Sequence, residues 1–279
     1  ILEIKNKVGH VDVLMTQFSF ANWTGNKGDA KTPQKAKDIV LGNLKRIFDI
    51  MDPASIIPFA SFVCFSHEEN AYLNDNSIHI KQFIDTFPEH NVVAMKPGDE
   101  WTVAEPWESN QEAVEFWEEC ANSIEDRKLT KTRTYSFDSL RVAYRGMIKR
   151  MKSVNDMKYL ADVATELQPA HIYIDDLGIS VSFNIFKKDL THAYVSEKDC
   201  DVKMTSESLL NVIKNPWGFG TLMVNGRFQA NYQTFRNFVS QTRLYYMNNI
   251  GKTFPESVTV TDIMNSSSLV HKLVSDTIK

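Results

Sequence analysis

Between residues 10 and 97 the chain alternates between two incompatible periodicities, which restricts its fold more than any other feature. The segments "HVDVLMTQF" (10–18), "IIPFASFVCF" (56–65) and "NVVAMKP" (91–97) are apolar nearly throughout and rich in β-favouring residues. Between the first two, Ala36, Ile39, Val40, Leu44, Ile47, Phe48 and Met51 recur at helical spacing on one face. Thr32 is placed to cap that helix with Pro33 at its first position, and Asp52-Pro53 to end it. A shorter helix is predicted from Ser77 to Phe87. Strands this apolar belong in a sheet covered by helices on both faces, so the first hundred or so residues read as α/β.

After Pro97-Gly98 the composition turns acidic in "DEWTVAEPWESN" (99–110), and a domain boundary is expected near residue 105. Ser109 with Glu112 forms a capping box opening one helix. A second is predicted from Asp138 to Lys152, with Leu140, Ala143, Tyr144, Met147, Ile148 and Met151 as its apolar stripe; the span 106–155 thus reads as a helical linker. The pattern then changes to strands of period two, "HIYIDD", "GISVSFNIF", "THAYV" and "CDVKMTS". A short helix, "SESLLNVIKN", follows, and "NPWGFGTLMVNGRF" (215–228) reads as turn chemistry leading into a strand. A long helix from Tyr232 to Asn249 completes an α+β domain, 156–279, with an antiparallel sheet.

At 279 residues and 43% hydrophobic content the chain can bury two cores. A net charge of -4 without blocks of like charge offers no footprint for nucleic acid. No apolar run reaches the length of a membrane span. Cys64, Cys120 and Cys200 include no CxxC, which argues against a disulfide framework or zinc ribbon and fits the cytoplasm. The chain opens at Ile1 and soon enters a predicted strand, so its start reads as a cut end. No G-x-S-x-G elbow, P-loop or kinase set is present, which removes the commonest serine-hydrolase and phosphoryl-transfer readings.

The candidate site is "SHEENAYLND" (66–75), where the second predicted strand runs out and α/β sheets place their chemistry. His67 beside Glu68, Glu69, Asn70 and Asp75 can ligate a metal, act as general base or meet an anionic group. H-E-E-N lacks a ligand spacing such as HExxH, and neighbours on a strand point to opposite faces, so a core strand reaching solvent is the alternative. Asp12, inside an apolar strand, either needs a partner or a metal, or is a turn residue at the strand start. The histidines at 10, 79, 90, 171, 192 and 271 are isolated and read as surface or core residues. The aromatic stripe of the last long helix reads as core packing, with a lipid-sized groove as the alternative.

With "VDVLMTQFS", "IIPFASFVCFSHEEN", "YLND" and "VVAMKPGD" in view, the first hundred or so residues resemble the C-terminal half of a metallo-β-lactamase-fold domain. The likeness is to the CMP-N-acetylneuraminate hydroxylase-like and ascorbate-phosphate lactonase-like branch. There a Pro-Phe-Ala segment precedes a histidine followed by acidic residues, as Pro58-Phe59-Ala60 and His67 do here. The resemblance implies a partial metallo-β-lactamase-type sheet with covering helices and a small-molecule substrate. It also implies a dinuclear divalent-metal site, of zinc, iron or manganese, whose bound hydroxide would attack. On that basis His67 and Asp12 are expected toward metal, His67 and Glu68 in catalysis, and Ser61, Glu69, Asn70 and Asp75 toward substrate. The family's H-x-H-x-D-H is nowhere in this sequence, and Ala60 stands where relatives carry a histidine. The resemblance therefore places the missing N-terminal half of the sheet domain upstream of Ile1. It implies a bacterial enzyme fragment that holds metal poorly or not at all and is inactive alone.

The stretch from Asp156 to Gly251 is similar to the sterol-carrier-protein-2 type, in its "D-v" strand, short helix, "L-x-v-x-G-r" strand and long helix. That likeness implies an apolar tunnel or a surface for a homo-oligomer. Two functions follow as expectations. One is the C-terminal portion of a metal-dependent hydrolase or oxygenase component, and the other a non-catalytic binding or oligomerisation module.

Overall fold

A computed structural model describes residues 1–264 except 104 and 125. The fold is α/β, with helices, a small parallel sheet and a mixed five-stranded sheet. No helix among the described residues is long and apolar enough to cross a membrane. His271 and the end of the expected second domain lie outside the described residues. Two compact units result, neither contiguous in sequence. The first comprises Ile1–Ala21, Pro33–Ser66 and Ala71–Leu129; the second takes Asn22–Thr32, His67–Asn70 and the chain from Thr130 on. The division after Leu129 falls inside the stretch read as a linker, and residue 105 lies within the first unit.

In the first unit a short helix absent from the sequence reading, α1 (Leu2–Val8), precedes β1 (Val11–Thr16). Helix α2 (Lys31–Met51) buries Ala36, Leu44, Phe48 and Met51, the face its spacing predicts. Its cap is Asp29 and not Thr32: the Asp29 Oδ1 accepts from Lys31 N (3.0 Å) and Thr32 N (3.3 Å). A carboxylate at a helix start serves both as cap and as partner for the dipole. Strand β2 (Pro53–Pro58) pairs parallel to β1, with Leu14 opposite Ile56. The predicted strand to Phe65 ends early, because Pro58 has no N–H for a ladder and Ala60, at φ 56°, turns the chain. The 91–97 segment adds only one parallel bridge, Val92 to Ile56. Its outer groups pair with a side chain where a next strand would lie: Ala94 N donates to Asn110 Oδ1 (2.7 Å) and Asn110 Nδ2 donates to Val92 O (2.7 Å). Helices α3 (Ile80–Thr86) and α4 (Asn110–Asn122) complete the unit, with Phe48, Phe83 and Phe87 in edge-to-face and tilted contact in its core.

In the second unit the chain from Thr130 on first forms α5 (Phe137–Val154), whose N-cap Ser136 accepts from Ser139 N and whose buried stripe includes Leu140, Tyr144, Met147, Ile148 and Met151, as predicted. Then come α6 (Met157–Val163), β3 (Ala170–Ile174), β4 (Ile179–Phe183), β5 (Thr191–His192) and β6 (Val202–Met204). After them lie α7 (Ser206–Lys214), α8 (Gly218–Asn225), β7 (Gln229–Ala230), α9 (Arg236–Asn248) and α10 (Val260–Met264). The sheet runs β5-β4-β3-β6-β7. It is mixed where an antiparallel sheet was expected, because after the β3-β4-β5 meander the chain crosses back and lays β6 parallel to β3, Tyr173 opposite Lys203. A second correction concerns the glycine-rich stretch read as a turn, which is α8, closed by Gly226 in the left-handed conformation at φ 62°. The aromatic stripe of the last long helix is core: Phe228 and Phe235 stack on each other (5.3 Å) and on the fully buried Trp23 (5.2 and 6.4 Å), beside Phe238.

Candidate functional site

The segment His67–Asn70 is a turn in the second unit and not the end of a strand. Asn70, buried, folds it: Oδ1 accepts from His67 N (3.0 Å), the backbone N donates to His67 O (3.1 Å), and Nδ2 donates to Asn225 O (2.7 Å). His67 bridges to Thr130, and Glu68 N donates to Thr130 O (3.2 Å), which leaves the Glu68 side chain in solvent. Glu69 points inward. It receives Arg227 through Nε (3.1 Å) and Nη2 (2.9 Å), and also the Thr132 hydroxyl and Thr205 Oγ1 (3.3 Å). The same Arg227 Nη2 donates to Glu207 (2.7 Å). The Arg227 and Glu69 side chains are 10% and 17% exposed.

Helix α7 organises this node. Thr205 caps it by accepting from Ser208 N, and Asp176 accepts from Ser206 N (2.7 Å) and Oγ (2.6 Å). Carboxylates thus gather where the helix dipole is positive. Burial pushes Glu207 up, but the hydrogen bond and charge of Arg227 outweigh it and hold Glu207 below its ordinary range. Burial pushes His67 down and Arg227 adds to that, while Glu69 and Glu207 pull the other way; the net direction is down, so the imidazole is neutral at pH 7. Both Glu69 oxygens are engaged, so Glu69 is a fixed strut and not a free acid or base.

The residues present do not fit a metal centre. Asp12 belongs to the first unit, exposed in β1 and paired with His10 Nε2 at 3.2 Å. The charge acting on His67 most strongly is the Arg227 guanidinium, which repels a cation. Among the described residues no group of three or more His, Cys, Asp or Glu is placed to hold a metal ion.

Ser61 and Asp75 lie elsewhere, on a cleft of about 420 Å³ within the first unit, a volume typical of small-molecule sites, which span about 300–1,000 Å³. Its walls are tied by side chains bonded to backbone. Phe18 N donates to Ser61 Oγ (3.0 Å) and Ile78 N to Ser19 Oγ (2.9 Å), while Asn74 pairs through both ends of its amide with Phe65 N (2.8 Å) and O (3.0 Å). At one end Phe62 stacks on Trp117, centroids 3.6 Å apart and planes 13° from parallel; Trp117 is oriented by its Nε1 donating to Met95 O (2.9 Å). Polar groups of both signs face the space, Asp75, His79, Glu118 and Arg127 among them.

Sequence reasoning thus brought together two groups that the fold separates: His67, Glu68, Glu69 and Asn70 in one unit, Ser61 and Asp75 in the other. It missed Arg227, Thr132, Thr205 and Glu207, which join Glu69 from far along the chain with no local signal. It also missed Phe62 and Trp117, whose aromatic character was visible but whose partnership was not. No protein-family model, no curated protein and no solved structure matches the chain.

Proposed function

We propose that this chain is a binding module, and that the cleft of the first unit takes a small planar organic molecule. The observation that carries the reading is the Phe62–Trp117 stack at the end of a cleft whose walls are already fixed by hydrogen bonds. A ring added to that stack gains dispersion and electrostatic contact at little ordering cost, because the indole is already held. Asp75, His79 and Arg127 supply orienting contacts for polar substituents at the rim. Catalysis through His67 draws no support from its surroundings, since both Glu69 oxygens are engaged by Arg227 and the charge of that guanidinium already acts on the imidazole.

The test is saturation-transfer NMR on the full chain with a set of planar heteroaromatic fragments. Binding is expected, weakened roughly tenfold by Phe62→Ala, the loss of about 1.4 kcal/mol of stacking, and unchanged by His67→Ala. Fragments that fail to bind, or that respond to His67→Ala and not to Phe62→Ala, would overturn the proposal.

A further inference from the structure

The same cleft carries two of the three cysteines, and their placement does not depend on what the cleft binds. On α4 the residues lining it include Trp117, Cys120 and Ala121, at i, i+3 and i+4, and none of them precedes Trp117; Ile124 follows just beyond the end of the helix. The Phe62–Trp117 stack clips the 61–65 segment to the helix at that point, so the cleft opens from the stack toward the C-terminal end of α4. Exposure alternates along the segment, with Ser61 and Phe65 buried and Phe62 and Cys64 exposed, so Phe62 and Cys64 share one face. Cys64 then follows Phe62 by two residues on the segment, and Cys120 lies about 4.5 Å beyond Trp117 along the helix axis. Both cysteines line one space, Cys64 on the segment and Cys120 on the helix that the stack joins. Both are free.

We propose that Cys64 and Cys120 form a dithiol pair that closes as an intramolecular disulfide across the cleft, with a low-molecular-weight disulfide such as oxidised glutathione as oxidant. The exposed Cys64 thiolate attacks one sulfur of the external disulfide; that S–S bond breaks, a mixed disulfide forms on Cys64, and one glutathione thiolate leaves. The less exposed Cys120 thiolate then attacks the Cys64 Sγ, the mixed bond breaks, and the second glutathione leaves. Two cysteine protons pass to the two released thiolates, and the external disulfide takes up the two electrons the pair gives. The new bond ties the 61–65 segment to α4 and closes the space between them. Cys200 is the internal control: it is buried in the second unit, and burial pushes its thiol up to about 11, which leaves it unreactive.

Incubating the full chain with oxidised glutathione, then digesting it without reductant and mapping peptides by mass, tests the pair. The expected result is loss of two hydrogens, a Cys64–Cys120 cross-link reversed by dithiothreitol, and an unmodified Cys200. Cys120→Ser is expected to stop at a stable glutathione adduct on Cys64. Separate adducts on both cysteines of the unaltered chain, a cross-link between two chains, or one to Cys200 would each sink the proposal. The map is read without any cleft ligand, so its failure is distinct from a failure of fragment binding.

Discussion

Arg227 stands between Glu69 and Glu207 with a neutral His67 nearby, and that arrangement sets what its removal costs. Arg227→Met leaves two largely buried carboxylates facing each other without a cation, a loss expected at about 3–5 kcal/mol. It also removes the one positive charge that lowers His67. In the native chain His67 titrates below its unfolded value, so the folded state binds fewer protons than the unfolded one. The stability this confers is fully present above the ordinary histidine value of 6.5 and is lost as pH falls through the lower folded value. Without Arg227 only burial still lowers the imidazole, and both carboxylates raise it, so His67 should titrate higher and the acid-side loss should shrink. Urea midpoints from pH 5 to 8 with an NMR titration of His67 check both parts; an unchanged His67 titration in Arg227→Met would refute the assigned field.

At the scale of elements, α7 and α8 meet through a glycine. A Cβ on Gly218 would lie 2.2 Å from Asn211 O and 2.6 Å from Val212 Cα, both backbone atoms of α7 that cannot swing aside. Gly218→Ala is therefore expected to force the helices apart at a cost of about 1–3 kcal/mol, visible as a lower denaturation midpoint. Gly220→Ala, whose Cβ would meet the far end of Tyr246 at 3.3 Å, should cost less. This glycine role explains why α8 was not legible in the sequence: three glycines in a short stretch read as turn chemistry, while the two that matter admit a close helix and terminate one. Helices α2, α5, α7 and α9 were legible because each repeats apolar residues at helical spacing over several turns. Edges were not. Asn26, Asn74 and Asn110 each close an exposed backbone edge with both ends of one amide, at Ala230, Phe65 and the Val92–Ala94 pair. An asparagine in a polar loop carries no mark of that task, since its partner is set by the tertiary fold. The polar run after Phe65 was found for the same reason it was misassigned: its composition is visible locally, but its partners at 132, 205, 207 and 227 are not.

On the whole-molecule scale, the chain passes between the two units five times, so the second unit cannot be cut out as one stretch. Its core needs Trp23, fully buried against Phe228 and Phe235 and bonded through its backbone N to Met223 O at 2.8 Å. The outer edge of its sheet needs Asn26, and the Tyr232 hydroxyl needs Asp29, to which it donates at 2.5 Å. Arg227 needs Glu69. All four come from the two short segments that lie upstream of Thr130. Emptying the Trp23 site alone costs about 3–5 kcal/mol on the scale of large core truncations, and domains are stable by only about 5–15 kcal/mol in total. A 130–279 piece should therefore keep helical far-ultraviolet dichroism but lose near-ultraviolet signal and cooperative melting, whereas a 22–279 piece, which retains both segments, should melt cooperatively. Equal cooperativity in the two pieces would mean that the inserted segments decorate the second unit and do not build it.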